Sequence, residues 1–273
     1  MDALILAHDL GTSGNKATLF SKNGTLLGSR TMPYTTDFRP GGIAEQNPEE
    51  WWKAVCGSTR ALMENHRPEQ IQAIAFSGMM MGCLCVDKAG RPLRPHMLYC
   101  DQRAGEQASR LAKRATAEKV YRLSGSPASP VNSGAKCMWV KEHEPDVYGK
   151  THKFLNAKDY LNFRLTGRLA TDPTDASGTN LYDLEKWDWS DELIDAAGLD
   201  RKMFPEIVPS TGILGALTPE AAREFVGYEY PLDAKGRFKA QYPDEDNHCI
   251  DSTRYALENV MKRQGGSFVN VRM

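Results

Sequence analysis

No stretch of this chain stays apolar for long enough to cross a membrane as a helix. The first ten residues, MDALILAHDL, place acids at Asp2 and Asp9. They lack the basic start and long apolar run of a secretion signal. None of the six cysteines forms a C-x-x-C pair, which removes structural-zinc and dithiol redox readings. Cys83 and Cys85 sit two apart in an apolar run, so they share one strand face as small core residues. A reduced, cytoplasmic setting is the simplest account of that cysteine usage. An excess of one charge is missing too: 34 basic residues face 35 acidic ones, and the formal net charge is -1. Nucleic acid and anionic membrane are therefore not expected partners. There is no internal repeat, no low-complexity tract and no G-x-x-x-x-G-K-[ST] loop. What remains is ordinary globular composition, 41% hydrophobic and 25% charged, in 273 residues, enough for one large domain or two modest ones.

The chain opens as an antiparallel meander. Residues 3–9 read as a buried strand, and 15–22 alternate like a second. Asn23-Gly24 is a hairpin turn signal, and LLGSRTMPY supplies a third strand. Asn47-Pro48-Glu49-Glu50 then announces a helix, with Asn47 as cap, Pro48 at the first position and Glu50 where a capping-box acid would stand. Trp51, Trp52, Val55, Thr59, Leu62, Met63 and His66 follow at helical spacing, and the tryptophans read as core packing. IQAIAFS, at 71–77, is a short apolar strand, followed by GMMMG and a second strand, CLCVD. A polar helix covers 101–115. Others cover 133–143, 157–166 and 190–197, and one more starts at Thr218-Pro219. Near residue 225 the pattern changes to an extended, turn-rich stretch and one further helix.

The first turn carries chemistry. Between two apolar strands stand Asp9, Gly11, Thr12, Ser13, Gly14 and Lys16. A turn offering backbone N–H groups without bulky side chains can cradle phosphate oxygens. Gly11 and Gly14 let the backbone approach, Thr12 and Ser13 add hydroxyls, and Lys16 adds positive charge. An acid beside phosphates makes sense if it holds Mg2+. A plain hairpin with a salt-bridged Lys16 accounts for the same spacing. It is not a dinucleotide fingerprint, because a strand and not a helix follows it.

The string D-x-G-T-x-x-x-K between two opening strands resembles the phosphate loop of the ribonuclease H-like, actin-like ATPase fold. More narrowly, the chain resembles the N-terminal domain of the FGGY carbohydrate kinases. The likeness is carried in order by AHDLGTSGNKATLF, GGIAEQNPEEWW, AIAFSGMMMGCLCVD, MLYCDQRAGEQ and DYLNFRLTGRLATDPTDASGT, from about residue 3 to about residue 222. It implies an α/β fold, a mixed sheet with flanking helices. It also implies a phosphotransferase that moves the terminal phosphoryl group of ATP, with Mg2+, to a hydroxyl of a sugar or polyol. Asp9 would serve Mg2+ and the transferring phosphate, while Gly11, Thr12, Ser13 and Lys16 would touch phosphate oxygens. Met80, Met81, Asp101 and Arg103 would build the sugar pocket. Family members often carry Gln-Met-His where this chain has Met79-Met80-Met81, so a hydrogen-bonding imidazole is replaced by a thioether. The methionines equally suit core filler at a strand end, and Asp101 equally suits a helix N-cap.

The same resemblance implies a general-base aspartate on a later Gly-rich segment and a second domain for the adenosine end of ATP. Neither is found in these residues: Gly265-Gly266 is followed by Ser267 and Phe268. The expected organisation is therefore a kinase N-terminal domain over 1–225 with an unrelated appendage over 226–273, inactive by itself. PDEDNHCIDSTRYAL, within that appendage, resembles the end of a phage terminase nuclease domain, with Asp251 as its metal-binding acid and His248 one turn before it. Its acids and bases balance, which gives no footprint for DNA, and a surface helix capped by Asn247 explains it as well. A non-catalytic sugar-binding module is the third reading.

Overall fold

Every second side chain of β1 (Leu4–Leu10) is drawn inward: Leu4, Leu6, His8 and Leu10 are buried, and Asp9 is exposed. In this computed structural model, which describes residues 3–226, β2 (Gly14–Ser21) returns antiparallel to β1. The Asn23-Gly24 turn, with Gly24 at φ +82, sends β3 (Leu26–Pro33) back alongside β2. Two short strands follow, β4 (Asp37–Arg39) and β5 (Ile43–Gln46). Helix α1 (Pro48–Met63) then crosses over, and β6 (Ile71–Gly78) lies parallel to β1. The central sheet has the order β3-β2-β1-β6 and is mixed.

Trp51 and Trp52 are buried with Leu6, Leu10, Leu19, Val55 and Phe76, so the core-packing reading of both holds. Asn47 Oδ1 accepts the Glu49 N–H at 3.0 Å, as a helix cap should. Glu50 does not close a capping box. Its carboxylate reaches the Thr35 N–H at 3.2 Å and the Thr35 hydroxyl at 3.0 Å, a partner fifteen residues back. The helix ends at Met63, so His66 lies beyond the stripe on which its spacing placed it.

The remaining elements extend the first core and build a second one beside it. They are β7 (Leu84–Val86), β8 (His96–Met97), α2 (Gly105–Ala115), α3 (Ala117–Ser124), α4 (Ser133–His143), α5 (Pro145–Lys150) and β9 (Lys153–Leu155). They continue with α6 (Ala157–Thr166), β10 (Ala170–Thr171), α7 (Pro173–Ser177), β11 (Tyr182–Asp183), β12 (Asp188–Trp189), α8 (Asp191–Ala197), β13 (Glu206–Ile207) and α9 (Pro219–Val226). β7 pairs with β9, and β8 joins β4 and β5 in a small sheet. Cys83, Cys85, Cys137, Phe154, Leu181, Trp189 and Ile194 fill the second core; Cys85 is on β7 and Cys83 just before it, in a bridge to Met97. The five described cysteines are free thiols. α9 returns to α1, where Phe225 stacks on Trp52 at 6.2 Å. No helix among the described residues is long and apolar enough to cross a membrane. The appendage expected after residue 225, with Asp251, His248 and Asn247, lies outside the described residues except for Val226.

Candidate functional site

The turn between β1 and β2 has its carbonyls pulled into the protein. Gly11 O accepts from the Tyr34 hydroxyl. Thr12 O accepts from Gln46 Nε2 at 2.7 Å and from the Thr36 hydroxyl at 3.1 Å. Ser13 O accepts from the Tyr34 N–H at 3.2 Å. In a trans peptide the N–H points opposite the carbonyl, so binding these oxygens inward turns the N–H groups of Thr12 and Ser13 outward. Both residues are exposed. The Gly11 N–H donates to Gly14 O at 3.0 Å and closes the turn, so it is a hairpin whose tip carries these N–H groups. The two glycines have different reasons to be there. A Cβ on Gly14 would lie 2.7 Å from the Met32 carbonyl oxygen, closer than any real contact, whereas one on Gly11 would meet nothing nearer than 3.4 Å.

Asp9, Lys16 and Ser77 form one row across the sheet, since Asp9 is registered against Lys16 on β2 and against Ser77 on β6. Ser77 Oγ donates to Asp9 Oδ1 at 2.7 Å. Among the described residues none donates to the other carboxylate oxygen, and no ion pair joins Asp9 to Lys16. An exposed acid and an exposed base thus stand beside this turn unneutralised by each other. Burial, helped by the Asp9 charge, pushes the Tyr34 phenol well above its ordinary range, so it stays a donor to Gly11.

The methionine loop adjoins this corner. The Met79 N–H donates to Leu10 O at 3.0 Å, which fastens the loop to the residue after Asp9. Met80 and Met81 are half-buried, and Met81 is left-handed at φ +62. A Cβ on the next residue, Gly82, would fall 1.9 Å from His96 Nε2, so only glycine fits there. Gly178, after α7, leaves room for both thioethers: a Cβ there would lie 3.1 Å from Met81 Cγ and 3.5 Å from Met80 Cε.

Asp101 and Arg103 are bound to each other and to neighbouring groups. Asp101 is fully buried, accepting from the Ala44 N–H at 2.9 Å and from Arg103 Nε at 3.0 Å and Nη2 at 2.8 Å. Arg103 also reaches Glu45 Oε1 at 2.6 Å and lies 4.6 Å over the Trp139 ring. Arg94 joins the same Glu45 oxygen at 2.5 Å. Burial opposes the Arg103 charge, but Asp101 and Glu45 outweigh it and hold the guanidinium above its usual value. Nor is Asp101 the cap of α2, which begins at Gly105 after Ala104 with no side-chain cap bond. In this state Asp101 orients Arg103. Gln46, Ser77, Glu45 and Lys136 were not singled out from the sequence. Gln46 and Ser77 stand inside strings already quoted, but their partners lie 34 and 68 residues away.

A mixed sheet in this order, flanked by helices and carrying an acid and a glycine-threonine turn at its first corner, defines an α/β domain of the actin-like ATPase type. The chain belongs to the FGGY family of carbohydrate kinases, whose N-terminal domain model matches residues 4–231. It is 35% identical to the xylulose kinase of Escherichia coli K12 over 234 residues, covering 85% of this chain and 48% of that protein. It is 29% identical to the gluconokinase of Bacillus subtilis over 222 residues, 81% of this chain and 43% of that one. Among solved structures, gluconate kinase from Lactobacillus acidophilus superposes with a TM-score of 0.77 at 27% identity, over 82% of this chain and 46% of that one. Xylulose kinase from Rhodospirillum rubrum gives 0.77 at 26% identity, over 81% and 46%. The chain spans about half the length of the curated relatives it matches.

Proposed function

We propose that this chain supplies the sugar-binding and phosphate-binding half of an ATP-dependent kinase acting on a small sugar or sugar acid of the xylulose or gluconate type. The observation that carries the reading is the corner at Asp9. There an outward-facing N–H turn, an exposed carboxylate held by Ser77 and the Met79–Met81 loop are joined through Leu10. The donor set fits a magnesium nucleotide: Asp9 offers a hard carboxylate oxygen, and Thr12, Ser13 and Lys16 offer donors to phosphate. Mg2+ would neutralise charge on the phosphoryl group when bound, and ATP would provide that group. Met80, Met81 and Arg103 would face the sugar, with Asp101 acting behind Arg103. Phosphoryl transfer also needs a general base and a hold on adenosine, and the polypeptide of these 273 residues, made on its own, binds without turnover. The buried free thiols support a cytoplasmic setting.

A thermal-shift screen of D-xylulose and D-gluconate, each with and without Mg-ADP, tests this. Binding to the native state raises the transition by RT ln(1 + [L]/Kd). A shift with a sugar, enlarged by Mg-ADP, supports the reading, and no shift with either sugar or nucleotide at millimolar concentration refutes it. A coupled ADP-release assay on the same polypeptide checks the absence of turnover.

A further inference from the structure

Lys136, on α4, is a fully buried lysine with no carboxylate in contact among the described residues. Its Nζ donates to three backbone carbonyls: Pro130 O at 2.8 Å, Val131 O, and Met81 O at 3.1 Å. An ammonium group has three donors and no acceptor, so these carbonyls use all of it. Two of them belong to the segment just before α4, which anchors the cation to its own helix. The third lies 55 residues away, on a residue in a backbone conformation that side chains rarely adopt. Such a conformation persists only when its surroundings over-determine it. Around Met81 the surroundings are the Gly82 backbone against His96, the Gly178 backbone under the thioethers, the Gly82 N–H donated to Asn156 Oδ1 at 3.1 Å, and this one charged hydrogen bond to the carbonyl of the same peptide.

We infer that Lys136 is a positioning residue for the sugar loop: its ammonium holds the Met81 carbonyl and so fixes where the Met80 and Met81 side chains stand. The role in sugar binding rests on the proposed function. The hold on the loop does not, and can be observed without any sugar.

Burial pulls Lys136 down to about 8, against the opposing pull of Cys83, Asp101, Cys137 and Cys100. His96 also faces it but is neutral, since burial takes it to about 3. A neutral amine has two N–H groups and a lone pair. Deprotonation therefore leaves one of three carbonyls without a donor, and Met81 O, held at 3.1 Å, is farther than Pro130 O at 2.8 Å.

The test is a methyl titration of protein labelled with [methyl-13C]methionine, the Met81 signal being assigned by its absence in Met81→Leu. The expected result is a Met81 resonance that moves with a midpoint near pH 8. In Lys136→Met, which keeps the apolar stem, it should stand near its high-pH position at every pH. A Met81 resonance constant from pH 6.5 to 9.5 overturns the inference, as does one unchanged by Lys136→Met in folded protein. If that variant does not fold, the wild-type titration decides. Sugar binding supplies the second arm. With about a tenth of the lysine charged at pH 9, affinity for D-xylulose or D-gluconate should fall about tenfold from pH 7. Failure of both sugars to bind at either pH counts against the proposed function, and the methyl titration still rules on Lys136.

Discussion

Ser77 Oγ donates to Asp9 Oδ1 at 2.7 Å, and this bond crosses from β6 to β1 where the β1–β2 turn meets the methionine loop. One oxygen of the carboxylate is thereby fixed. The other is left without a donor among the described residues. The row continues through Lys16 to Thr31 on β3, so the polar groups of one corner are spaced by the sheet register and not by a loop. A site on strand ends holds its geometry better than one on a free loop.

Asp9→Ala separates the two halves of the site. The carboxylate is exposed, so its loss should change unliganded stability by no more than about 0.5 kcal/mol. The extra thermal shift given by Mg-ADP should disappear, while the shift from sugar alone persists. Loss of the sugar shift as well would show that Asp9 shapes the whole corner.

Gly14→Ala and Gly11→Ala should part company. At Gly14 the new Cβ meets the Met32 carbonyl at 2.7 Å, and backbone must move, as neither strand has a flexible side chain to yield there. Overpacking of this kind costs about 1–3 kcal/mol. At Gly11 the nearest atom is 3.4 Å away, an ordinary contact. Urea unfolding of the two variants measures the difference, and equal midpoints would contradict the packing drawn between β2 and β3.

Much of this was legible in the chain, and the limit falls along contact distance. Alternation in residues 3–9, the Asn23-Gly24 turn and the Asn47-Pro48 helix entry are local signals, and each element stands where its signal put it. Glu50 and Asp101 fail for one shared reason. Each sits in good position for a local cap, but each takes a partner from elsewhere in the chain, Thr35 for one and the Ala44 N–H for the other. Lys136 is the extreme case. Nothing in GAKCMW marks its lysine as buried, because the carbonyls that make burial tolerable arrive partly from a loop 55 residues earlier.

Arg103→Met should be severely destabilising. It leaves Asp101, with no exposed surface, holding two backbone N–H groups, those of Ala44 and of residue 103, and no cation, and it strips one of the cations from Glu45. Removing one partner of a buried pair costs about 3–5 kcal/mol. Combining it with Glu45→Gln should cost less than the sum of the single changes, since both act on one network. Urea denaturation of the four proteins closes that cycle, and strict additivity would show the network to be energetically separate pairs.

His96 supplies a pH dependence whose sign can be worked out. Its ring is buried against Trp51 with both nitrogens unpartnered among the described residues, and burial, aided by the Lys136 and Arg94 charges, takes it from 6.5 to about 3. Between those values the unfolded chain binds a proton that the folded protein refuses. Stability from this residue therefore falls as pH falls, by about 1.4 kcal/mol per pH unit below 6.5. Asp175 works the other way, because burial raises it to about 6 and its protonation favours the fold on acidification. Whole-protein stability is thus a poor readout, and the difference between His96→Leu and wild type is a good one. From pH 6.5 to pH 5 that difference should move by about 2 kcal/mol in favour of the variant. It should do so whatever the variant's stability at neutral pH, because the substitution removes the proton-binding group from both states. Chemical denaturation at pH 7, 6 and 5 measures it, and parallel stability curves for the two proteins would mean that the imidazole is protonated, or solvated, in the native state.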